Sequence, residues 1–337
     1  MSKRSRRYDE SDARVRAPRS KPRRSKDRPD YSDSPIAFVT TVDRGRITCI
    51  LQDASVASHA SDLEITAMKA RELGKNAVVV GDYIRLDGDV SGAPGTLARA
   101  VEVEPRKNFL SRTVDDAGAF EKVVAANVDQ LVIVIAAADP TPRLGFVDRC
   151  LVIAYDQGIE PIIVVTKCDL ANPDDFLAAY GDLEVATFKT AVKQSKDLET
   201  LRNKLASKRS VLIGHSGVGK STLFNALLGS EARLTGDVNL ATGKGRHTSS
   251  SAYALEFEAG GWIIDTPGVR SFGLEHIDRS RVIGAFAELA SMIATCPKNC
   301  SHDEPSCALN SSAQDSQVSQ RIAGLRRILA ASSQPIT

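Results

Sequence analysis

No apolar run in this 337-residue chain is longer than residues 131–138, far short of the roughly 20 residues a helix needs to cross a bilayer. No membrane span is therefore expected. The N-terminus is basic with no apolar segment behind it, so no secretory signal is expected either. Cysteine is scarce: six residues in 337 do not make a disulfide framework. Three of the six crowd together near the C-terminus, which points instead to metal binding in a reducing compartment, the cytoplasm by expectation.

What is present is enough for a real core. With 42% hydrophobic residues, a chain of this length reads as two or three domains. The net charge of +2 hides an asymmetry, because residues 1–34 carry twelve Lys or Arg against six acids. That stretch has almost nothing apolar to bury and reads as a disordered basic arm. It serves either as a solubilising tail or as a binder of phosphate backbones.

Residues 36–103 show short segments of strand character at 37–42, 46–51, 77–80, 82–86 and 96–103, punctuated by Gly45, Gly81, Gly88 and Gly92. About five strands in some seventy residues fit a small closed barrel of the OB-fold kind. Arg71, Lys75, Arg85, Arg99, Arg106 and Lys107 would give it a basic face, unless they are simply solvated. Beyond Asn108 the pattern becomes buried strands alternating with helices: strands at 130–136, 161–165, 185–188, 210–213 and 262–264, and a helix at 144–156. Alternation of this kind predicts a mostly parallel sheet covered by helices. Cys150 on the apolar stripe of that helix reads as core, as do Cys49 and Cys168.

The strand ending at Ile213 is followed by Gly214, His215, Ser216, Gly217, Val218, Gly219, Lys220 and Ser221, with Thr222 continuing into a helix stopped by Gly229. This is a phosphate-binding loop in the context the motif requires. Glycines let backbone amides wrap an anion, Lys220 reaches the outer phosphates, and the Ser221 hydroxyl is suited to Mg²⁺. Asp265 ends a later strand and opens Asp265-Thr266-Pro267-Gly268, where the carboxylate can hold Mg²⁺ through water and the Gly268 amide can sense a γ-phosphate. Thr166, Lys167, Cys168 and Asp169 follow another apolar strand. Asp169 can accept from both N1 and N2 of guanine, a donor pair adenine lacks, and Lys167 would lie along the base. Many GTPases have Asn at the position of Thr166, and Thr makes fewer bonds. Thr190 and Ala191 stand where a backbone contact to the guanine oxygen is expected.

In the ordinary order a GTPase presents its phosphate loop first and its base reader last. Here the base reader leads, and a circularly permuted GTPase domain is the economical explanation. Between Ser221 and Asp265, the polar loop 242–251 is the candidate first switch, with Thr248 as the Mg²⁺ ligand formed with GTP and Ser249 as the fallback. Val269 stands where many GTPases carry the Gln that orients the attacking water. That work must fall to His247, a backbone group or a partner residue. Catalytic residues are accordingly expected at His247, Thr248 and Lys220. Cys296, Cys300, His302 and Cys307 offer three thiolates and an imidazole, the complement of a closed structural zinc site. The last helix carries Val318, Ile322, Leu325, Ile328 and Leu329 in a stripe that should pack on this zinc domain. Arg321, Arg326 and Arg327 on its other side are candidates for RNA.

Together, a β-barrel, this order of motifs and a terminal Cys/His knuckle resemble the RsgA family of small-ribosomal-subunit-dependent GTPases over about residues 36–335. The resemblance implies a multidomain chain: the arm (1–34), an OB-fold RNA-binding barrel (35–107), a permuted α/β P-loop GTPase domain (108–275) and a helical zinc-binding C-terminal domain (276–337). It further implies GTP hydrolysis to GDP and phosphate, stimulated by the 30S subunit during its late maturation, with binding to 16S rRNA. The expected cofactors are Mg²⁺ and one Zn²⁺, and the expected state is a cytoplasmic monomer binding neither membrane nor DNA. Two features depart from the family pattern. The knuckle loops on either side of the Cys-x-His step are each one residue shorter than its Cys-x4-Cys-x-His-x5-Cys, and Ser249 replaces a threonine. The alternatives are a permuted GTPase of large-subunit assembly and an RNA-binding scaffold that nucleotide merely tunes. A phosphate-loop kinase or ATPase would leave Asp169 without a task. The permuted order also feeds the chain from Gly268 directly into the knuckle domain, so the knuckle is expected to anchor the second switch.

Overall fold

Strand β1 (Ile36–Asp43) is apolar on both faces because each faces a different core. In the computed structural model, which describes residues 30–43, 45–52, 64–74, 78–114, 120–191, 195–228, 252–256, 260–266, 277–312 and 316–332, Ala37 and Val39 of β1 point into a small barrel. Phe38 points the other way, onto the rings of Tyr83 and Trp262 at 5.5 and 4.9 Å. The barrel comprises β1, β2 (Arg46–Leu51), β3 (Glu64–Lys69), β4 (Tyr83–Gly88) and β5 (Ala98–Val103) in the order β1-β2-β3-β5-β4, closed by β4 pairing back to β1. All pairings are antiparallel except β3 with β5, the topology of the OB-fold. Its interior is narrow and is lined by Ala67, Ala98 and Ala100 beside Ile47, Ile65, Ile84 and Leu86. Cys49 is core as expected, and burial pushes its thiol up to about 12.

The third barrel strand is not the expected 77–80 segment. Glu64–Lys69 takes that place, burying Ile65 and Ala67 and leaving Met68 exposed. Val78, Val79 and Val80 are buried as a connection rather than a strand. Val79 donates its N–H to the Asp82 carboxylate at 2.8 Å, and Val80 forms a single bridge to Ala125. Asp82 is fully buried and takes a bidentate pair of bonds from Arg106 at 2.7 and 2.9 Å. Arg106 is therefore committed to the fold, as is Arg85, which pairs with Glu104. Arg71 and Arg99 remain exposed, while Lys75 lies outside the described residues.

A hairpin of β6 (Phe109–Val114) and β7 (Phe120–Ala126) leads from the barrel into the central sheet. The sheet runs β10 (Ala186–Lys189), β9 (Glu160–Thr166), β8 (Gln130–Ala136), β11 (Lys208–Ile213), β13 (Gly261–Asp265), β12 (Tyr253–Glu256), parallel up to β13 and antiparallel at β12. Its central strands β8 and β9 are nearly uninterrupted apolar runs because both their faces are covered. Leu131, Ile133 and Ile135 of β8 face α1 (Leu144–Asp156), whereas Val132 and Val134 face α3 (Ser195–Leu205) and α4 (Lys220–Leu228). β12 also pairs with β1 at Thr41–Tyr253, so barrel and sheet are hydrogen-bonded into one 11-stranded array. The phosphate-loop strand β11 sits between β8 and β13, yet the chain enters it from α3 through residues 206–207 alone. That short link is where an unpermuted domain would begin and end.

Beyond the sheet, α5 (Arg279–Gly284) and α7 (Ser316–Ala331) pack on α1, with the short α6 (Ala290–Ile293) between them in the chain. The stripe Ile322, Leu325, Ile328 and Leu329 packs on Cys307 and Leu309 of the cysteine-rich region, as expected, and also into the core formed with α1. The three arginines on the other side of α7 each make contacts within the protein. Arg321 pairs with Glu288 and lies over the Phe286 ring at 4.5 Å. Arg326 donates to the His302 carbonyl at 2.7 Å, and Arg327 donates to the Ala179 carbonyl at 2.7 Å. Ser34–Thr337 forms one compact unit. The expected basic arm lies outside the described residues, except for its last few.

Candidate functional site

The carboxyl ends of parallel strands are where an α/β sheet presents its loops to a ligand, and three of the predicted motifs meet there. β11 delivers the loop Gly214 to Gly219, and α4 begins at Lys220. A Cβ on Gly214 would lie 2.5 Å from the Val134 carbonyl oxygen, so only glycine passes so close to β8. Gly217 and Gly219 both have φ of 85°, the left-handed backbone with which such loops turn their amides toward an anion. Val218 is buried and pins the loop to the core. Ser216, Ser221 and Thr222 are exposed at the mouth. The His215 ring lies on Phe146 of α1 at 4.3 Å.

The base-reading segment leaves the end of β9. The Thr166 hydroxyl lies within hydrogen-bond reach of the Val218 carbonyl in the phosphate loop and of the Ile135 carbonyl at the end of β8, and its proton serves one of them at a time. Thr166 thus ties the two motifs together with a shorter side chain than the usual Asn. Lys167, with φ of 56°, reaches back to the Asp139 carbonyl. Cys168 donates its N–H to the Thr190 carbonyl at 3.4 Å, and Thr190 donates its own to Val165 at 2.7 Å. The segments bearing Asp169 and Ala191 are therefore held side by side. Asp169 is exposed, while Thr190 and Ala191 are buried.

β13 brings Asp265 beside the phosphate loop, where its Oδ1 pairs with Lys220. Its Oδ2 accepts from the Tyr253 hydroxyl at 3.2 Å. Burial, reinforced by the Asp265 charge, raises the pKa of that phenol and keeps it a donor. The Asp265 side chain is 13% exposed. A carboxylate and a serine hydroxyl at the start of α4 form the hard oxygen donor set that suits Mg²⁺. Tyr253 carries no sequence motif; only the β12–β13 pairing places it here. His247, Thr248, Ser249, Gly268 and Val269 lie outside the described residues.

A second constellation lies in the C-terminal region. The ligand atoms of Cys296, Cys300, His302 and Cys307 all fall within 4.8 Å of one another. The Cys296 and Cys307 sulfurs are 3.8 Å apart, much too far for a disulfide. A tetrahedral zinc with Zn–S bonds of about 2.3 Å holds its sulfurs about 3.8 Å apart. His302 is 6% exposed, and its Nδ1 has no hydrogen-bond partner. Burial, with Arg279 nearby, lowers the imidazole pKa and favours the neutral form that binds metal. Left-handed backbone at Asn299 and His302, with φ of 62° and 67°, folds the shortened loops inward.

Residues 103–275 match the family model described as RsgA GTPase. The "Small ribosomal subunit biogenesis GTPase RsgA" of Pseudomonas aeruginosa strain LESB58 is 37% identical over 263 residues, covering 75% of this chain and 76% of that protein. The protein of the same name from Shewanella oneidensis is 37% identical over 265 residues, covering 75% and 74%. Among solved structures, YjeQ from Thermotoga maritima superposes with a TM-score of 0.61 at 24% identity, over 88% of this chain and 98% of that one. YloQ, titled a circularly permuted GTPase, gives 0.60 at 20% identity over 92% and 99%. These two structures speak for the fold.

Proposed function

The chain belongs to the RsgA family of GTPases, and from that premise we propose how its residues bind and hydrolyse GTP in maturation of the small ribosomal subunit. It is a GTP hydrolase of small-subunit biogenesis. The permuted GTPase of large-subunit assembly is not favoured, because the relatives carry small-subunit names. The observation that carries the mechanistic reading is the convergence of phosphate loop, base reader and Asp265, bonded through Thr166 to Val218 and through Lys220 to Asp265.

The amides of 214–219 and the start of α4 cradle the phosphates, and Lys220 neutralises the outer ones. Asp169 selects guanine through its N1 and N2 donors, with Lys167 along the base and Thr190-Ala191 at the oxygen. Ser221, Asp265 and, from the switch, Thr248 would hold Mg²⁺, which would supply positive charge to offset the negative charge developing on the phosphates. His247 is assigned to the attacking water. Val269 cannot orient it, so hydrolysis is slow until a partner orders the switch.

Cys296, Cys300, His302 and Cys307 would hold a structural Zn²⁺ with no open position for catalysis. The 30S subunit, through its 16S rRNA, is the assigned partner, and the barrel is the assigned RNA-binding domain. A cytoplasmic monomer is the matching state. GTP hydrolysis measured with and without purified 30S subunits, at two salt concentrations, tests this reading. Turnover should rise with 30S and the rise should shrink at high salt; no loss of GTP even with 30S subunits would sink it.

A further inference from the structure

Tyr253 is the first residue of β12, two positions after the segment that carries His247 and Thr248. Its backbone stands in one cross-strand row with Thr41 of the barrel strand β1 on one side and Asp265 of β13 on the other; Asp265 in turn faces Leu212 of β11. The side chain touches both α4 and β13, the two elements that would flank the phosphates under the function proposed above. Its ring packs edge-on against Phe224 of α4 at 5.8 Å, and its hydroxyl donates to Asp265 Oδ2 at 3.2 Å. Lys220 holds the other carboxylate oxygen.

Lys220 has two claimants under the function proposed above, the outer phosphates and Asp265. Once phosphates draw its N–H groups, the carboxylate needs another side chain to hold its direction. Tyr253 is placed to do so: its ring is wedged against Phe224, and its phenol donates from the same face of the sheet. The present separation is long for an O–H···O⁻ bond and leaves room to shorten. We propose that Tyr253 is a positioning residue for Mg²⁺, fixing the Asp265 carboxylate through Oδ2 so that it meets the metal in one orientation.

This assignment rests on the GTPase reading, and its test keeps the two separable. Tyr253→Phe preserves the ring on Phe224 and deletes only the hydroxyl. Fluorescent GDP is titrated onto wild type and variant, once with Mg²⁺ and once with EDTA. Loss of a hydrogen bond to a charged group predicts binding about tenfold weaker with Mg²⁺ and unchanged in EDTA. The Mg²⁺ concentration for half-maximal tightening should rise by a similar factor. In an Asp265→Asn background the same change should have no further effect, because a residue acting through Asp265 has nothing left to position. Equal affinities with Mg²⁺, an equal loss in both buffers, or an independent loss in the Asp265→Asn background would each overturn the role of Tyr253. A wild type that binds no guanine nucleotide in either buffer would overturn the GTPase reading itself.

Discussion

Gly81 joins the barrel to the rest of the molecule at a point where no side chain fits. Its φ is 89°, and a Cβ there would lie 2.1 Å from the Ala126 carbonyl oxygen. Its N–H bonds to Val39 and its carbonyl accepts from Asn127, so neither strand can retreat without breaking bonds. Gly81→Ala should therefore destabilise by about 2–4 kcal/mol, combining backbone strain with overpacking. A denaturant titration reads this directly, and a loss below about 0.5 kcal/mol would show that the seam yields. Residues of this kind are legible in a sequence only as turn punctuation. The phosphate loop was legible because its chemistry demands glycine, lysine and serine at fixed spacing. Tyr253 was not, because its role arises from a cross-strand pairing between segments twelve residues apart. Thr166 lay between the two: its motif was readable, but its bond to Val218 was not.

The elements most readable from pattern were those buried on both faces. Residues 130–136 and 144–156 have the bounds expected of β8 and α1, because a parallel strand and its crossover helix each answer to one core. The barrel was harder. Glu64–Lys69 exposes Glu64 and Met68 and reads as weak alternation, while the valines at 78–80 look like a strand but serve as a buried connector pinned by Asp82. The α1–α7 contact shows what pattern cannot give. Asp148 of α1 lies 3.3 Å from Arg327, yet burial raises its carboxyl pKa more than Arg327 lowers it.

The folded state therefore holds this proton more tightly than the unfolded chain does. The stability Asp148 contributes is fully present below the ordinary value of 3.8 and is lost as pH rises through the raised folded value. Asp148→Asn does not titrate, so the variant should gain on wild type as pH climbs through that window. Denaturation midpoints taken at successive pH values measure the difference. A difference that stays constant with pH would show that Asp148 is not perturbed in this way.

At the scale of the whole molecule, the C-terminal region leans on the helix between the base-reading strands. Arg326 of α7 holds the His302 carbonyl of the cysteine cluster, and Arg327 of the same helix holds Ala179 and stacks over Tyr180 at 4.7 Å. Asp278, at the start of α5, donates its N–H to Asp156 at the end of α1 at 2.9 Å. At the other end of α1, Phe146 lies on His215 of the phosphate loop. The expected link from Gly268 into the knuckle falls outside the described residues, whereas the described contacts lead from the knuckle through α7 and α1 to that loop. The contacts proposed for the nucleotide lie on β9, β11 and β13, so they do not require the knuckle. Cys300→Ala removes one of four candidate zinc ligands and should leave GDP affinity within about twofold, since the change lies outside the nucleotide's contacts. The same protein should lose most of the acceleration of GTP hydrolysis by added 30S subunits if, as proposed, the knuckle couples the 30S subunit to the switch. Nucleotide titration and turnover with and without 30S subunits, on one preparation, decide it: stimulation equal to wild type would place the coupling elsewhere, in the barrel or in the switch itself.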